Sequence, residues 1–286
     1  MFDAGSRSDA GEAGARPVGP PRAEGRIAVS GRAAAGRTRL SHLFQQGSAK
    51  CLLPRVVGPG GALEAVLLNT AGGITGGDRF EIAAEAGPGA RLTLATQAAE
   101  RVYRAASGTG RIDTRLVLGT GARIDWLPQE TILYDAGALA RTLTVEMAAD
   151  ASLLAVEPFV LGRTAMGERV RQAAFTDDWR VYRAGRLVYA DALSLTGAFE
   201  RFAAPALLAG RTAGASLLYV APDAEVRARG LAPGLDTPPE GCLAGLSACD
   251  GVLAARLLAP DGRRLRILLA RLLAELRGEL PRVWTL

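Results

Sequence analysis

A chain of 286 residues with 49% hydrophobic and 22% charged side chains is long enough to bury a substantial core and has the balance of an ordinary globular protein. The formal charge of +5 does not point to nucleic acid, because seven arginines against four acids in residues 1–39 carry +3 of it and leave only about +2 for the body. Cys51, Cys242 and Cys249 show no CxxC spacing and no even count for a disulfide framework, and no apolar run approaches the roughly 18 residues that span a bilayer.

In chain order, residues 1–25 are rich in Gly, Ala, Arg and Pro, a composition that predicts a disordered tail. They lack the apolar stretch of a secretory leader, and with reduced cysteines this points to the cytoplasm. From Arg26 onward short alternating segments recur: RIAVSGRA, EAVLLN, DRFEIAAEA, ARLTLATQ, RIDTRLVLG, ARIDWLP, ALARTLTVEM, ASLLAVEPFVL, RQAAFTDDWRVYRA, RLVYADALSL and ASLLYVAP. Punctuation by Gly, Pro and Asp predicts many antiparallel strands rather than βαβ units. DWRVYRAGRLVYADAL reads as a hairpin turning at Ala184-Gly185. Residues 202–213 leave room for a shorter helix. Asp261 to Gly278 is a helix, with Leu265, Leu268, Leu269, Leu272, Leu273 and Leu276 on one face, Asp261 to cap it and Gly278 to end it. Its apolar face is expected to dock on the β body. No repeat of fixed length is apparent, so residues 26–286 are expected to form one mainly β domain.

The stretch NTAGGITGGDRFEI places Gly72, Gly73, Gly76 and Gly77 just before Asp78. A Walker loop needs Lys followed by Ser or Thr, yet the only lysine is Lys50, followed by Cys51. GxGxxG also fails at Ile74, and the strand-like continuation offers no helix N-terminus for a phosphate. The glycines are therefore read as structural, permitting positive φ and close backbone approach.

Other catalytic patterns are thin. The single histidine, His42, excludes a multi-histidine cage from one chain, and neither Ser107 nor Ser247 sits in a GxSxG elbow. The cysteines read as core thiols. Carboxylates remain: Asp78, Glu130, Glu157, Glu168 and Asp191 each neighbour apolar, strand-like residues or a glycine turn. Singly they read as turn groups. Converging inside a β body, they would hold a hard or borderline cation transiently through oxygens and water.

The ordered blocks LLNTAGGITGGDRFEI, LTLATQAAERVYRA, WLPQETILYDAGAL and LGRTAMGE, with GSAKCLLPR upstream and PRVW near the end, resemble the urease accessory protein UreD family, called UreH in some lineages. The similarity covers residues 26–286. Two departures stand out: Ala136 is inserted in LYDAGAL, and Asp191 stands where a glutamate is common.

The resemblance implies an extended β-superhelix with few helices and no catalytic centre. It implies work with a UreF-type protein and a UreG-type GTPase on apo-urease, where nickel is delivered and GTP hydrolysis belongs to the GTPase. It also implies a water-filled passage for nickel, with Asp78, Glu157, Glu168, Asp191 and Glu130 as candidate lining. Nickel would be a transient guest, with no tightly bound cofactor, no nucleic-acid partner and no membrane partner. Two other readings compete: a hydrolase using His42 with a carboxylate, and a nucleic-acid binder using the arginine-rich tail.

Overall fold

The computed structural model describes residues 22–55, 57–163 and 166–285. Of the tail expected over residues 1–25, residues 1–21 lie outside that range, and the first strand already begins at Glu24. Among the described residues no helix is long and apolar enough to cross a membrane.

The strands, in order, are β1 (Glu24–Ala34), β2 (Arg37–Gly47), β3 (Ala49–Leu52), β4 (Val57–Gly58), β5 (Ala62–Asn69) and β6 (Arg79–Ala86). Next come β7 (Arg91–Thr96), β8 (Glu100–Val102), β9 (Gly110–Leu118), β10 (Arg123–Leu127), β11 (Thr131–Leu133), β12 (Ala138–Met147) and β13 (Ser152–Leu161). The last are β14 (Gln172–Arg183), β15 (Arg186–Ala198), β16 (Ala213–Val220), β17 (Leu243–Cys249) and β18 (Val252–Ala259). Three helices, α1 (Ala224–Asp236), α2 (Gly262–Arg277) and α3 (Arg282–Thr285), lie towards the C-terminus.

The mainly β superhelix is present, but its central pairing is parallel, which corrects the expected antiparallel register. From β6 to β14 the chain winds as a coil between two sheets. One has the order β15-β14-β12-β9-β6-β1-β2, and the other runs β17-β18-β16-β13-β10-β7-β5-β3 with β4, β8 and β11 attached. Arg79 sits beside Arg111, Arg111 beside Ala140 and Ala140 beside Thr176, so successive coils advance by 32, 29 and 36 residues. Unequal steps hide the repeat from a search at fixed period. Antiparallel pairs occur at the two ends, β1 with β2 and β14 with β15 among them, where short turns return the chain at once. The Ala184-Gly185 turn is as expected, both residues taking positive φ (51° and 76°).

Alternation sends one side of each strand inward. Leu116, Leu139, Leu143, Phe175 and Trp179 fill the space between the sheets. A second core lies between the outer face of the larger sheet and the helices, where all six leucines of α2 are buried. Each contributes on the order of 1.5–3 kcal/mol of burial. Asp261 accepts the Arg264 backbone N–H at 2.8 Å, and Gly278 ends the helix at φ +87°. Residues 202–213 hold only part of a 3-10 turn (Phe199–Ala203) and no α-helix. The helix at α1 was not anticipated, because Gly230, Pro233 and Gly234 all disfavour it. Packing of Leu231 and Leu235 into the second core holds it.

The glycine loop draws its own segment against β8. Ile74 donates to Arg101 O at 2.7 Å, and Tyr103 donates back to Ile74 O at 2.8 Å. That approach needs Gly76, where a Cβ would stand 2.1 Å from the Ser107 carbonyl oxygen. Gly76→Val is expected to lose about 1–3 kcal/mol of unfolding free energy in urea titration. An unchanged midpoint would remove this role.

Candidate functional site

The inward face of β12 reads Leu139, Arg141, Leu143, Val145, and that of β14 reads Phe175, Asp177, Trp179, Val181. Their parallel register sets Arg141 beside Asp177. The Arg141 guanidinium donates to Asp177 through Nε (3.1 Å) and Nη2 (2.7 Å). Its Nη1 lies 2.5 Å from Glu157 Oε2, across the interior on β13, and also donates to Thr131 Oγ1 at 3.0 Å. Glu157 Oε1 accepts the Trp126 indole N–H at 2.7 Å. Arg141, Asp177 and Glu157 are each 3% exposed, so this network ties the two sheets together in the interior.

One guanidinium here faces two carboxylates. With both ionised, the cluster carries an uncompensated negative charge in the buried interior, which is costly unless a proton or cation neutralises it. Burial pushes the Glu157 carboxyl up to about 7, Arg141 opposing and Asp177 adding to the rise.

A cavity of about 280 Å³ reaches this cluster. Trp126, Thr131, Arg141 and Glu157 form its inner end, and exposed Thr70, Gly72 and Arg101 stand at its mouth. Half-buried Glu100 also lines the mouth, where Asn69 Nδ2 donates to both of its oxygens (3.3 and 3.2 Å) and to Gly73 O at 3.0 Å. Burial raises the Glu100 carboxyl to about 7 as well. The wall at Gln129 is fixed from the C-terminus. Gln129 Nε2 donates to Val283 O at 3.2 Å, Arg266 holds Gln129 Oε1, and Trp284 donates to Leu127 O at 2.9 Å. The cavity is thus lined by both apolar and polar residues, with one carboxyl at its mouth and one at its inner end.

Of the five carboxylates singled out in the sequence, the cavity lining includes Glu157 and none of the other four. Asp78 is buried at the glycine loop's exit, accepting the backbone N–H groups of Ala23 and Thr75, each at 2.8 Å. Glu168 pairs with Arg163 at 2.9 Å and Glu130 with Arg266 at 3.6 Å, while Asp191 pairs with Arg256. Ala136 takes φ +61° in the turn where Asp135 accepts the Arg171 N–H at 2.7 Å. Among the described residues no three His, Cys, Asp or Glu side chains cluster closely enough to cage a metal ion. The thiols offer little: burial pushes Cys51 up to about 11 and raises Cys242, and neighbouring Asp250 raises exposed Cys249. His42 is exposed on edge strand β2, and its side chain has no hydrogen-bond or ion-pair partner among the described residues.

Glu100, Arg141 and Asp177 were not singled out in the sequence. For Arg141 and Asp177 the signal was present, since both occupy the parity of the inward leucines and aromatics.

The chain matches the family model described as UreD urease accessory protein over residues 23–285. It is 49% identical over 269 residues to the urease accessory protein UreD of Methylobacterium sp. (strain 4-46), covering 92% of this chain and 95% of that protein. Against its counterpart in Rhizobium leguminosarum bv. trifolii (strain WSM2304) the identity is 46% over 270 residues, covering 93% and 97%. The protein of the same description from Xanthobacter autotrophicus (strain ATCC BAA-1158 / Py2) is 48% identical over 265 residues, covering 92% and 90%.

Proposed function

The chain belongs to the UreD family of urease accessory proteins, and from that premise we propose that it is a non-catalytic cytoplasmic scaffold passing nickel towards apo-urease. It acts within an assembly holding a UreF-type protein and a UreG-type GTPase, which supplies the GTP hydrolysis. Nickel is a transient guest, and no cofactor is held tightly.

The observation that carries this reading is the cavity with Glu100 at its mouth and Glu157 at its inner end. A conduit must admit an ion and then release it. Cages of His or thiolate hold nickel too well for that. A single carboxylate, balanced between a proton and a cation near neutral pH, gives weak and exchangeable binding. Glu157 and Glu100 meet that description because burial raises both carboxyls, and at Glu157 the opposing Arg141 is shared with Asp177. Asp78 contributes indirectly by fixing the loop whose Gly72 borders the mouth. Glu168, Asp191 and Glu130 are occupied by arginines and come into play only where a docked partner displaces those arginines.

The test is activation of purified apo-urease at limiting nickel with the accessory proteins present. Omitting this chain should abolish nickel-dependent activation, and equal activation without it would end the proposal. The hydrolase alternative needs His42 beside a carboxylate, and exposed His42 has no such partner among the described residues. His42→Ala is therefore expected to leave activation unchanged within error, while a loss of about tenfold or more would restore a catalytic role.

A further inference from the structure

Beside the cavity mouth, an open bowl of about 720 Å³ is lined by Tyr103, Arg104, Tyr134, Asp135, Arg163, Gly167, Glu168, Arg169 and Arg171. Its ionisable lining is unequal, four arginines against two acids. Arg163 is held by Glu168 at 2.9 Å, and Arg171 by Asp135 at 3.3 Å. Exposed Arg104 and Arg169 have no side-chain hydrogen bond or ion pair among the described residues, so the bowl presents two free guanidiniums on a floor already fixed in place.

The floor is tied together by its two tyrosines, and a face of Tyr134 is covered. Tyr103 and Tyr134 pack edge to face at 5.1 Å and 89°. The Arg163 guanidinium lies 4.3 Å over the Tyr134 ring. The Gly73 backbone crowds Tyr103, and a Cβ there would come within 2.2 Å of that ring. A nucleic-acid strand needs free faces for base stacking and a continuing basic track. This bowl has no continuing basic track, and its two carboxylates repel a dense phosphate charge. Spaced carboxylates on a protein surface suit it better, because each can take the planar fork of one arginine.

We propose that this bowl is a docking site for an acidic segment of a protein partner, whose carboxylates engage Arg104 and Arg169. Tyr103 Oη donates to Gly72 O at 3.2 Å, so a partner seated here stands against the loop that borders the cavity mouth. The site does not depend on nickel passing through the chain.

The test uses the full chain and a fluorescein-labelled octaglutamate peptide, followed by anisotropy at low ionic strength without nickel or urease. Saturable binding is expected. Arg104→Glu/Arg169→Glu should weaken it by about tenfold or more, and Arg104→Ala/Arg169→Ala by less, with thermal melts unchanged. Arg32→Glu/Arg39→Glu, on β1 and β2 away from the bowl, should leave the affinity within about twofold. The proposal is overturned by absence of binding, by equal loss in the Arg32/Arg39 control, or by competition from octauridylate RNA or inorganic phosphate as effective as that from unlabelled peptide.

Discussion

Arg141→Met is expected to cost about 3–5 kcal/mol of unfolding free energy at pH 7.5. Among the described residues Arg141 is the only cation paired with Glu157 or Asp177, and both acids are buried. Removing it strands two carboxylates in the interior and leaves Thr131 Oγ1 without its donor. Methionine has nearly the right volume, so lost packing is a minor part of the effect. Stranded Glu157 can be neutralised by a proton, which makes the deficit depend on pH. At pH 5.5 the Glu157 carboxyl, pushed up by burial, takes a proton more readily in the folded variant than in its unfolded chain, so the loss should shrink. Arg141→Met/Asp177→Leu should recover part of it, because one of the two stranded charges is gone. Urea titrations at the two pH values measure all of this. A loss below about 1 kcal/mol at pH 7.5 would mean that the network is hydrated and contributes little.

The fold could be read from the residues to an uneven degree. Eleven quoted strand segments coincide with strands of the structure, because alternation of the kind seen in ALARTLTVEM is a local property of a strand with one buried side. Pairing direction is not local. Whether Arg111 lies beside Arg79 or across a hairpin depends on turns more than ten residues away, and the coil step of 32, 29 and 36 residues is too irregular to reveal itself. The β17–β18 hairpin was overlooked although Asp250-Gly251 marks its turn, both residues taking positive φ. Of the site, Glu157 was legible as an acid inside an apolar strand. The same rule applied to every strand would have found Arg141 and Asp177, whose charges sit among Leu139, Leu143, Phe175 and Trp179. Glu100 was not legible, since its burial comes from the glycine loop folding over β8 and from Asn69 reaching across from β5.

Glu157→Gln should lower the rate of nickel-dependent urease activation by about tenfold or more while making the protein more stable above neutral pH. The two effects have one origin. Burial pushes the folded-state carboxyl up to about 7 from its ordinary 4.5. Between those values the folded chain holds a proton that the unfolded chain has released. Stability therefore falls as pH rises from about 4.5 to about 7, by at most about 1.4 kcal/mol per pH unit for one group, and is flat above. Glutamine imitates the protonated acid at every pH, so the variant should lose this slope and gain stability where the wild type is ionised. Ionised Glu157 is also the form that meets a cation. Delivery through the wild-type chain should rise as pH passes through about 7, and delivery through the variant should stay low and flat. Glu100→Gln, at the mouth, should flatten the same profile to a smaller degree, because solvent and Asn69 share its charge. A carboxylate that serves only the architecture would behave differently: its replacement would lower stability and delivery together. Activation assays with urea titrations across pH 6 to 8 separate the cases, and a Glu157→Gln chain that activates urease at the wild-type rate would remove the inner carboxylate from the route.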